Sequence, residues 1–202
     1  CYLAVAECTG HGVPGAMVST VCASALNKSL HELHKKSPAA ILDSARDLVI
    51  EHFSRGSDEV YDGMDISLLR LNVKTGELVF AGANNPAWVV SRSDQRQLIQ
   101  FDADKQPVGK HARPLPFTDK QFQTQVGDMI YLASDGFQDQ FGGPKGKKFK
   151  VANLKTILVE VQGESCDRQL DRLKEAFNAW AKDFEQVDDI CVIGLRISAF
   201  KG

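Results

Sequence analysis

Acidic residues stand where three apolar runs of this chain begin or end. Two runs end in an acid and the third follows a pair of acids, and the residues are Glu7, Asp135, Asp188 and Asp189. If the third run lies antiparallel to the other two, all of these carboxylates reach one edge of a sheet. Carboxylates gathered without matching cations repel one another, and hard divalent cations relieve that repulsion. The pattern predicts a metal-dependent hydrolase.

The composition is that of one globular domain. The chain has 202 residues, 43% hydrophobic and 25% charged, which is enough to bury a substantial core. A formal net charge of -2 argues against a nucleic-acid binder, which normally carries a basic face. No apolar stretch approaches the length of a membrane span, so we expect no direct membrane contact from this segment. Scattered cysteines without a CxxC pair favour reduced thiols and a cytoplasmic setting.

Apolar residues recur at helical spacing in several segments, and the predicted helices are Pro14 to about Lys36, Pro38 to about Phe53, Val151–Val161 and Cys166–Lys182. In the first of these, one broad face carries Met17, Val21, Ala25 and Leu33. Ser37 before Pro38 predicts an N-cap followed by a proline in the first turn of the second helix.

Short segments with a period of two, bounded by turn residues, predict strands. Besides the runs Cys1–Ala6, Met129–Ser134 and Ile190–Ile197, these are Asp65–Val73, Glu77–Ala81, Trp88–Ser91, Gln97–Phe101 and Gln121–Val126. Residues 56–62 form a polar loop, and turns at Lys74-Thr75-Gly76 and Gly127-Asp128 predict hairpins. Short connections favour an α/β (α+β) sandwich, in which two packed antiparallel β-sheets are flanked by helix pairs.

Glycine-rich and acidic motifs follow one another along the chain. They are Glu7-Cys-Thr-Gly-His-Gly-Val-Pro-Gly-Ala16, Asp62-Gly-Met-Asp65, Ala81-Gly-Ala-Asn-Asn-Pro86, Ala133-Ser-Asp-Gly136 and Val187-Asp-Asp-Ile190. In order and spacing they resemble the SpoIIE/RsbU-type phosphatases, bacterial members of the metal-dependent PPM (protein phosphatase 2C-like) class. The resemblance runs from the first residue to about Ile197 and implies a serine/threonine phosphatase domain over residues 1–202.

The resemblance also implies a metal site. Glu7 matches the acid that bridges two metal ions, and Cys8 would lend its backbone carbonyl. Asp135 and Asp188 match two further carboxylate ligands, so the expected catalytic residues are Glu7, Asp135 and Asp188. Oxygen ligands point to two Mn²⁺ or Mg²⁺ ions, which would activate water for direct attack on phosphorus.

Two features depart from the family pattern. The family usually has Asp where Glu7 stands, and the added methylene moves the carboxylate by about 1.5 Å. Octahedral Mg²⁺ tolerates little displacement of its ligands, so a pseudophosphatase that only binds its partner is the alternative. The family also has a Gly-Asp motif on an upstream strand. None precedes Cys1, so we expect this domain to lack its N-terminal strand or strands.

Other residues of these motifs are candidates for secondary roles, and they are Gly10, His11, Gly12, Asp65, Asn84, Asn85, Gly136 and Asp189. The turn that contains His11 leads into a helix N-terminus, which favours phosphate. His11 is either a general acid or a structural histidine. Asp65 either forms hydrogen bonds near the site or ligates metal. Successive strand residues point to opposite faces, and the family pattern favours Asp188 over Asp189 as the ligand.

Lysines cluster after Asp135, in the segment Phe141–Phe149 and at Lys150. The glycines and charges of this segment predict a mobile loop. Such a cluster is ordinarily a solvated loop, and the alternative is that it steers a phosphoprotein to the cleft.

The resemblance implies a partner as well as an activity. The expected substrate is a small phosphoprotein, an anti-sigma-factor antagonist with a STAS fold, and a homodimer is an option. The expected setting is cytoplasmic, as the output domain of a larger membrane-bound or response-regulator protein. An unrelated carboxylate-metal hydrolase such as a nuclease is a third alternative, which the acidic balance disfavours.

Overall fold

The computed structural model describes residues 1–54, 62–92 and 97–200. They form two compact units, of which the first is Cys1–Ala87 with Phe101–Gln123 and the second is Trp88–Gln100 with Thr124–Gly202. Each unit contains an antiparallel sheet and a pair of long helices, so the predicted mixed α/β class is confirmed. Most of the predicted loop at 56–62 lies outside the described residues.

In chain order, the described strands are β1 (Tyr2–Cys8), β2 (Gly63–Leu71), β3 (Glu77–Ala83), β4 (Ala87–Val90), β5 (Leu98–Phe101), β6 (Val108–Gly109), β7 (Lys120–Gln123), β8 (Met129–Ala133), β9 (Phe141–Gly142), β10 (Lys147–Lys148) and β11 (Val192–Arg196). The described helices are α1 (Gly12–Asn27), α2 (Pro38–Phe53), α3 (Gly136–Asp139), α4 (Val151–Val161) and α5 (Cys166–Ala181), and a π-helical turn at Lys28–Glu32 continues α1.

The sheet of the first unit has the order β1-β2-β3-β7, and β6 pairs with the start of β2. Every pairing between these strands is antiparallel. Helices α1 and α2 pack together, and α2 also contacts β2, β3 and β6. Their shared core includes Val18, Cys22, Leu42, Ala45 and Ile66.

Helix α1 differs from its predicted course. It begins at Gly12 and is followed by the π-helical turn that starts at Lys28. His34 adopts a left-handed conformation (φ 52°), so the helical conformation ends before Lys36. Its buried residues are Gly15, Val18, Cys22 and Ala25, whereas Met17 is 65% exposed. No charged residue occurs in α1, so hydrophobic periodicity alone does not distinguish its inner face.

Helix α2 has the predicted start. Ser37 is its N-cap and accepts a hydrogen bond from the Ala40 amide (3.2 Å), with Pro38 in the first turn. Its buried residues follow helical spacing and include Ile41, Ala45 and Val49.

The sheet of the second unit has the order β11-β8-β4-β5. Strand β8 is buried along its whole length, as expected for a central strand with apolar side chains on both faces. Helices α4 and α5 cover a core that includes Trp88, Tyr131, Phe137, Leu154 and Leu173.

The predicted hairpin between Gln121–Val126 and Met129–Ser134 is wrong. Strand β7 pairs with β3, and β8 pairs with β11, so the turn at Gly127 joins strands of different sheets. The Gly127 amide donates to the carbonyl of Ile197 at 2.7 Å, and Asp128 also bonds to Ile197. These contacts align β8 with β11, which lies far away in sequence. Turn residues predict only pairing between neighbouring strands, so they do not reveal this partner.

The lysine-rich segment after Asp135 is a hairpin and not the predicted mobile loop. Strands β9 and β10 pair antiparallel, with Lys147 opposite Gly142 and Lys148 opposite Phe141. Gly143 and Gly146 adopt positive φ values of 66° and 55° in the connection, which glycine adopts without steric penalty.

Other boundaries shift by a few residues, as is common at element ends. Strand β2 starts and ends two residues before the predicted Asp65–Val73, and β11 is shorter at both ends than Ile190–Ile197. Asp188 and Asp189 consequently lie in the loop before β11 and not at its first residue.

The Ser37 cap is testable by substitution. Ser37→Ala leaves the Ala40 amide without its side-chain acceptor, so we expect the free energy of unfolding to fall by about 1 kcal/mol. Urea unfolding followed by far-ultraviolet circular dichroism measures the change. Ser24→Ala, at an exposed interior position of α1, is the control and should have no destabilising effect. Equal losses in both variants would contradict a capping role.

Candidate metal centre

A buried serine joins two acidic loops in the second unit. Ser134, at the end of β8, donates its hydroxyl to the carbonyl of Asp189 (3.1 Å) and accepts the Cys191 amide (3.0 Å). Its own amide donates to the carbonyl of Cys191 at 2.9 Å. These three bonds hold the loop before β11 against the end of β8, so that Asp135 and Asp188 become neighbours.

Gly136 permits the close approach of the two loops. A Cβ atom at this position would lie 2.4 Å from the Asp189 carbonyl oxygen and 3.3 Å from the Asp188 Cβ. The first distance is shorter than any van der Waals contact, and a backbone atom cannot move aside cheaply. Glycine therefore lets Asp135 and Asp188 approach with carboxylate oxygens within 4.8 Å of each other.

The surroundings of this carboxylate pair suit a divalent cation. Asp135 Oδ1 is buried and accepts no hydrogen bond from any residue that the structure describes. Asp188 is exposed, and its Oδ1 accepts the Asp189 amide at 2.7 Å. Within the described part of the chain, neither acid forms a salt bridge. A buried anionic oxygen without a donor is unfavourable unless a cation or water approaches it, and oxygen donors are those that Mg²⁺ and Mn²⁺ prefer.

In the first unit, Glu7 is half-buried near the end of β1 and lies opposite Asp65 of β2. Asp65 Oδ1 accepts a hydrogen bond from the Asn84 amide group (2.8 Å). Asn84 adopts a left-handed conformation with φ of 57°, which asparagine tolerates better than most residues. The structure thus places Glu7, Asp65 and Asn84 at one end of this sheet, and it gives Asp65 a hydrogen-bonding role.

Asn85 is the buried member of the asparagine pair. Its backbone carbonyl accepts a hydrogen bond from the hydroxyl of Ser67 at 2.9 Å, and that hydroxyl also contacts the Pro86 carbonyl. Asn85 therefore forms part of the turn that leads out of β3.

The glycine-rich turn after Glu7 is fixed by backbone and hydroxyl contacts. The Thr9 hydroxyl donates to Asp62 Oδ1 (2.8 Å), and the Thr9 amide donates to the Gly63 carbonyl (3.1 Å). Gly10 and Gly12 have positive φ, and His11 is the exposed N-cap residue of α1. A Cβ at Gly15 would lie 2.6 Å from the Gly10 oxygen, so α1 starts directly against this turn.

Two free cysteines lie close together behind the turn. A hydrogen bond from the Cys22 thiol lowers the pKa of Cys8 to about 6, although partial burial acts in the opposite direction. The same hydrogen bond, with burial, raises the pKa of the Cys22 thiol. All five cysteines are free thiols. This pairing was not predicted, because the distance between the two residues along the sequence conceals that α1 folds back on β1.

This mixed α/β fold with antiparallel sheets is that of PP2C-type phosphatase domains, and solved structures match it. They include the SiaA-PP2C domain of Pseudomonas aeruginosa, with a TM-score of 0.85, 24% identity, and coverage of 96% of this chain and 75% of that one. The chain also resembles a Bacillus subtilis SpoIIE structure with the PP2C domain and a regulatory fragment (TM-score 0.70, 19% identity), covering 97% of this chain and 54% of that one. Another match is a structure of RsbU and RsbW domains from Mycobacterium tuberculosis (TM-score 0.71, 17% identity), covering 100% and 52%.

Residues 1–198 match the family model described as Stage II sporulation protein E (SpoIIE), and the chain belongs to this family. The resemblance deduced from the motifs is thereby confirmed, and the fold is that of PP2C-type phosphatase domains. No curated protein matches the chain. It spans about half the length of the SpoIIE and RsbU–RsbW chains. In residues 1–54, 62–92 and 97–200, no helix has the length and apolar character required to cross a membrane.

The Ser134 contacts generate a prediction. Ser134→Ala removes a buried hydroxyl that serves two backbone groups, so we expect a loss of about 1–3 kcal/mol in the free energy of unfolding. Mn²⁺ affinity, measured by isothermal titration calorimetry, should also fall, because the loop with Asp188 is released. The control is Ser198→Ala, at an exposed position, which should change neither quantity. Unchanged Mn²⁺ affinity in a destabilised Ser134→Ala variant would contradict a positioning role.

Proposed function

We propose that this domain hydrolyses phosphoserine and phosphothreonine on a protein substrate with the help of two divalent cations. The observation that carries the proposal is the carboxylate pair of Asp135 and Asp188, with its buried oxygen lacking a donor, in a chain of the SpoIIE family. Glu7 is the third proposed carboxylate, and Cys8 contributes its backbone carbonyl. When bound, the cations would lower the pKa of a water molecule and neutralise the phosphoryl oxygens.

The residues around the pair have defined tasks in this proposal. Ser134 and Gly136 hold the two acidic loops together, which keeps the carboxylates oriented before any ligand arrives. Preorganised ligands require less rearrangement in the reaction, which is an effective way to lower a barrier. The exposure of Asp188 leaves this edge accessible to a residue on a protein surface.

The metal is proposed as Mn²⁺ or Mg²⁺. The chemistry of the proposed donors is all oxygen, which suits both ions. A structure of the catalytic domain of the serine/threonine protein phosphatase PstP is described as a complex with two manganese ions, and it matches this chain with a TM-score of 0.61 at 15% identity. That likeness in fold supports a two-ion site without distinguishing the two metals.

The proposed substrate is a small phosphoprotein of the STAS-type anti-sigma-factor antagonist class. Support comes from the matching structures, one of which contains an RsbW domain beside an RsbU domain, and another of which is described as part of a bacterial stressosome. The stressosome is described as a modular system adapted to control secondary messenger signalling, and we further propose that this domain is a cytoplasmic output domain of a signalling protein.

The carboxylate pair is tested by removing charge without changing shape. We expect Asp135→Asn and Asp188→Asn each to lose at least about a hundredfold in Mn²⁺-dependent hydrolysis of p-nitrophenyl phosphate and to bind Mn²⁺ more weakly. Asp189→Asn is the matched control, because the Asp189 contact with Ser134 uses the backbone carbonyl. A larger loss in Asp189→Asn than in Asp188→Asn would reverse the assignment of the ligand.

Glu7 is tested by shortening its side chain. If the longer side chain displaces the carboxylate from the geometry that two ions require, Glu7→Asp should raise the rate by at least about tenfold, equivalent to about 1.4 kcal/mol of transition-state stabilisation. The experiment compares Mn²⁺ titrations of the two forms with a phosphorylated protein substrate. Equal rates and metal dependence would show that Glu7 is a competent ligand. Absence of activity in both forms, with retained binding of the phosphoprotein, would favour the pseudophosphatase alternative.

A further inference from the structure

The β9–β10 hairpin is an ordered element that is anchored to the rest of the second unit. Its Phe149 ring is buried against Phe137 and Trp180, with ring centroids 5.2 and 5.4 Å apart. The Gly143 amide donates to the Trp180 carbonyl at 2.9 Å. Gly142 has no room for a side chain, because a Cβ would lie 2.0 Å from that carbonyl. The hairpin is therefore held against α5 at defined positions.

The base of the hairpin is linked to Asp135 through α3. Helix α3 directly follows Asp135, and the Asp139 amide donates to the Asp135 carbonyl at 2.9 Å. The Asp139 side chain in turn forms a salt bridge with Lys148 of β10, with 2.6 Å between Nζ and Oδ2. One short helical turn therefore separates the proposed metal ligand from the base of the hairpin.

The hairpin carries a concentrated positive charge in an acidic chain. Its exposed lysines occur within six residues, Lys145 to Lys150, whereas the whole chain has a net charge of -2. Lys148 is paired with Asp139. Among the residues that the structure describes, Lys145, Lys147 and Lys150 form no salt bridge. Lysines without an ion-pair partner on an ordered hairpin form a positive patch, which attracts the anionic groups of a binding partner.

We infer that the β9–β10 hairpin selects substrates in which acidic side chains flank the phosphorylated residue. This inference rests on the proposed function, because it concerns the protein substrate of the same site. The unpaired Lys145 and Lys147 contact Asp or Glu residues of the substrate, and Lys148 is oriented by Asp139. Ion pairs at the rim of a site mainly change the association rate of the substrate, and hence KM. They are weakened by salt, which screens exposed charges.

The experiment uses phosphoserine peptides whose flanking residues are acidic, neutral or basic. The wild-type chain should hydrolyse the acidic peptide with the highest kcat/KM, and the double variant Lys145→Glu/Lys147→Glu should lose at least about tenfold on it, through KM. Hydrolysis of p-nitrophenyl phosphate and of the neutral peptide should change little, and the basic peptide should improve. Raising the ionic strength from about 0.01 M to about 1 M should abolish the wild-type preference.

The control variant makes the same change in charge elsewhere in the second unit. Lys155→Glu/Lys174→Glu alters α4 and α5, and it should leave the peptide preference intact. A milder variant, Lys145→Gln/Lys147→Gln, removes the charge without introducing repulsion and should lose the same preference to a smaller extent. If both double variants shift all peptides equally, the effect is one of net charge and the inference is wrong.

Binding separates this inference from the proposed function. Fluorescence polarisation with labelled peptides and the Asp135→Asn variant measures the preference without turnover. Tighter binding of the acidic peptide, lost in the Lys145→Glu/Lys147→Glu background, supports the inference even where no hydrolysis is found. Equal affinity of the wild-type hairpin for acidic and neutral peptides overturns it, whatever the hydrolytic activity proves to be.

Discussion

The second unit depends on the pairing of β8 with β11, because this pairing brings together residues more than fifty positions apart. Just beyond β8, the hydroxyl of Ser134 forms hydrogen bonds with the backbone of Asp189 and Cys191, so the loop before β11 is aligned as well as the strand. Two carboxylates close together oppose folding through charge repulsion, so their approach has to be imposed by contacts that do not involve them. The hydrogen bonds between β8 and β11, the hydroxyl of Ser134 and the lack of a side chain at Gly136 supply that constraint. What remains is a concentration of negative charge that is complementary to a cation and unfavourable without one.

In the first unit, glycines and hydrogen bonds also set the position of an acidic residue. The glycine-rich turn connects β1 to α1 and keeps Glu7, near the end of β1, close to the start of the helix. Close contact between Gly10 and Gly15 achieves this, together with hydrogen bonds from Thr9 to Asp62 and to Gly63, the first residue of β2. The structure therefore shows the turn as a packing device between β1, α1 and β2.

Much of this architecture can be predicted from local sequence. The cap at Ser37, the helices α2 and α4, and most strands follow from periodicity and turn residues, because their local preferences agree with the fold. The family motifs also identify the acids, two of which the structure brings together in the second unit. The errors occur where the decisive contact is distant. The pairing of β8 with β11 depends on contacts with Ile197 and Cys191. The buried face of α1 depends on tertiary packing, because its sequence has no charged residues to mark the exposed face. The lysine-rich hairpin is ordered by Trp180, which lies 37 residues after its partner Gly143.

The anchoring of that hairpin by Trp180 has a practical consequence for spectroscopy. The chain contains two tryptophans, Trp88 and Trp180, and both belong to the second unit. Trp88 is buried, with its indole nitrogen donating to Gln100, whereas the indole of Trp180 donates to Gln140 and lies against the hairpin. Intrinsic tryptophan emission consequently reports on unfolding of the second unit and does not detect unfolding of the first. A red shift that precedes the loss of helical ellipticity would show that the two units do not unfold as one cooperative block.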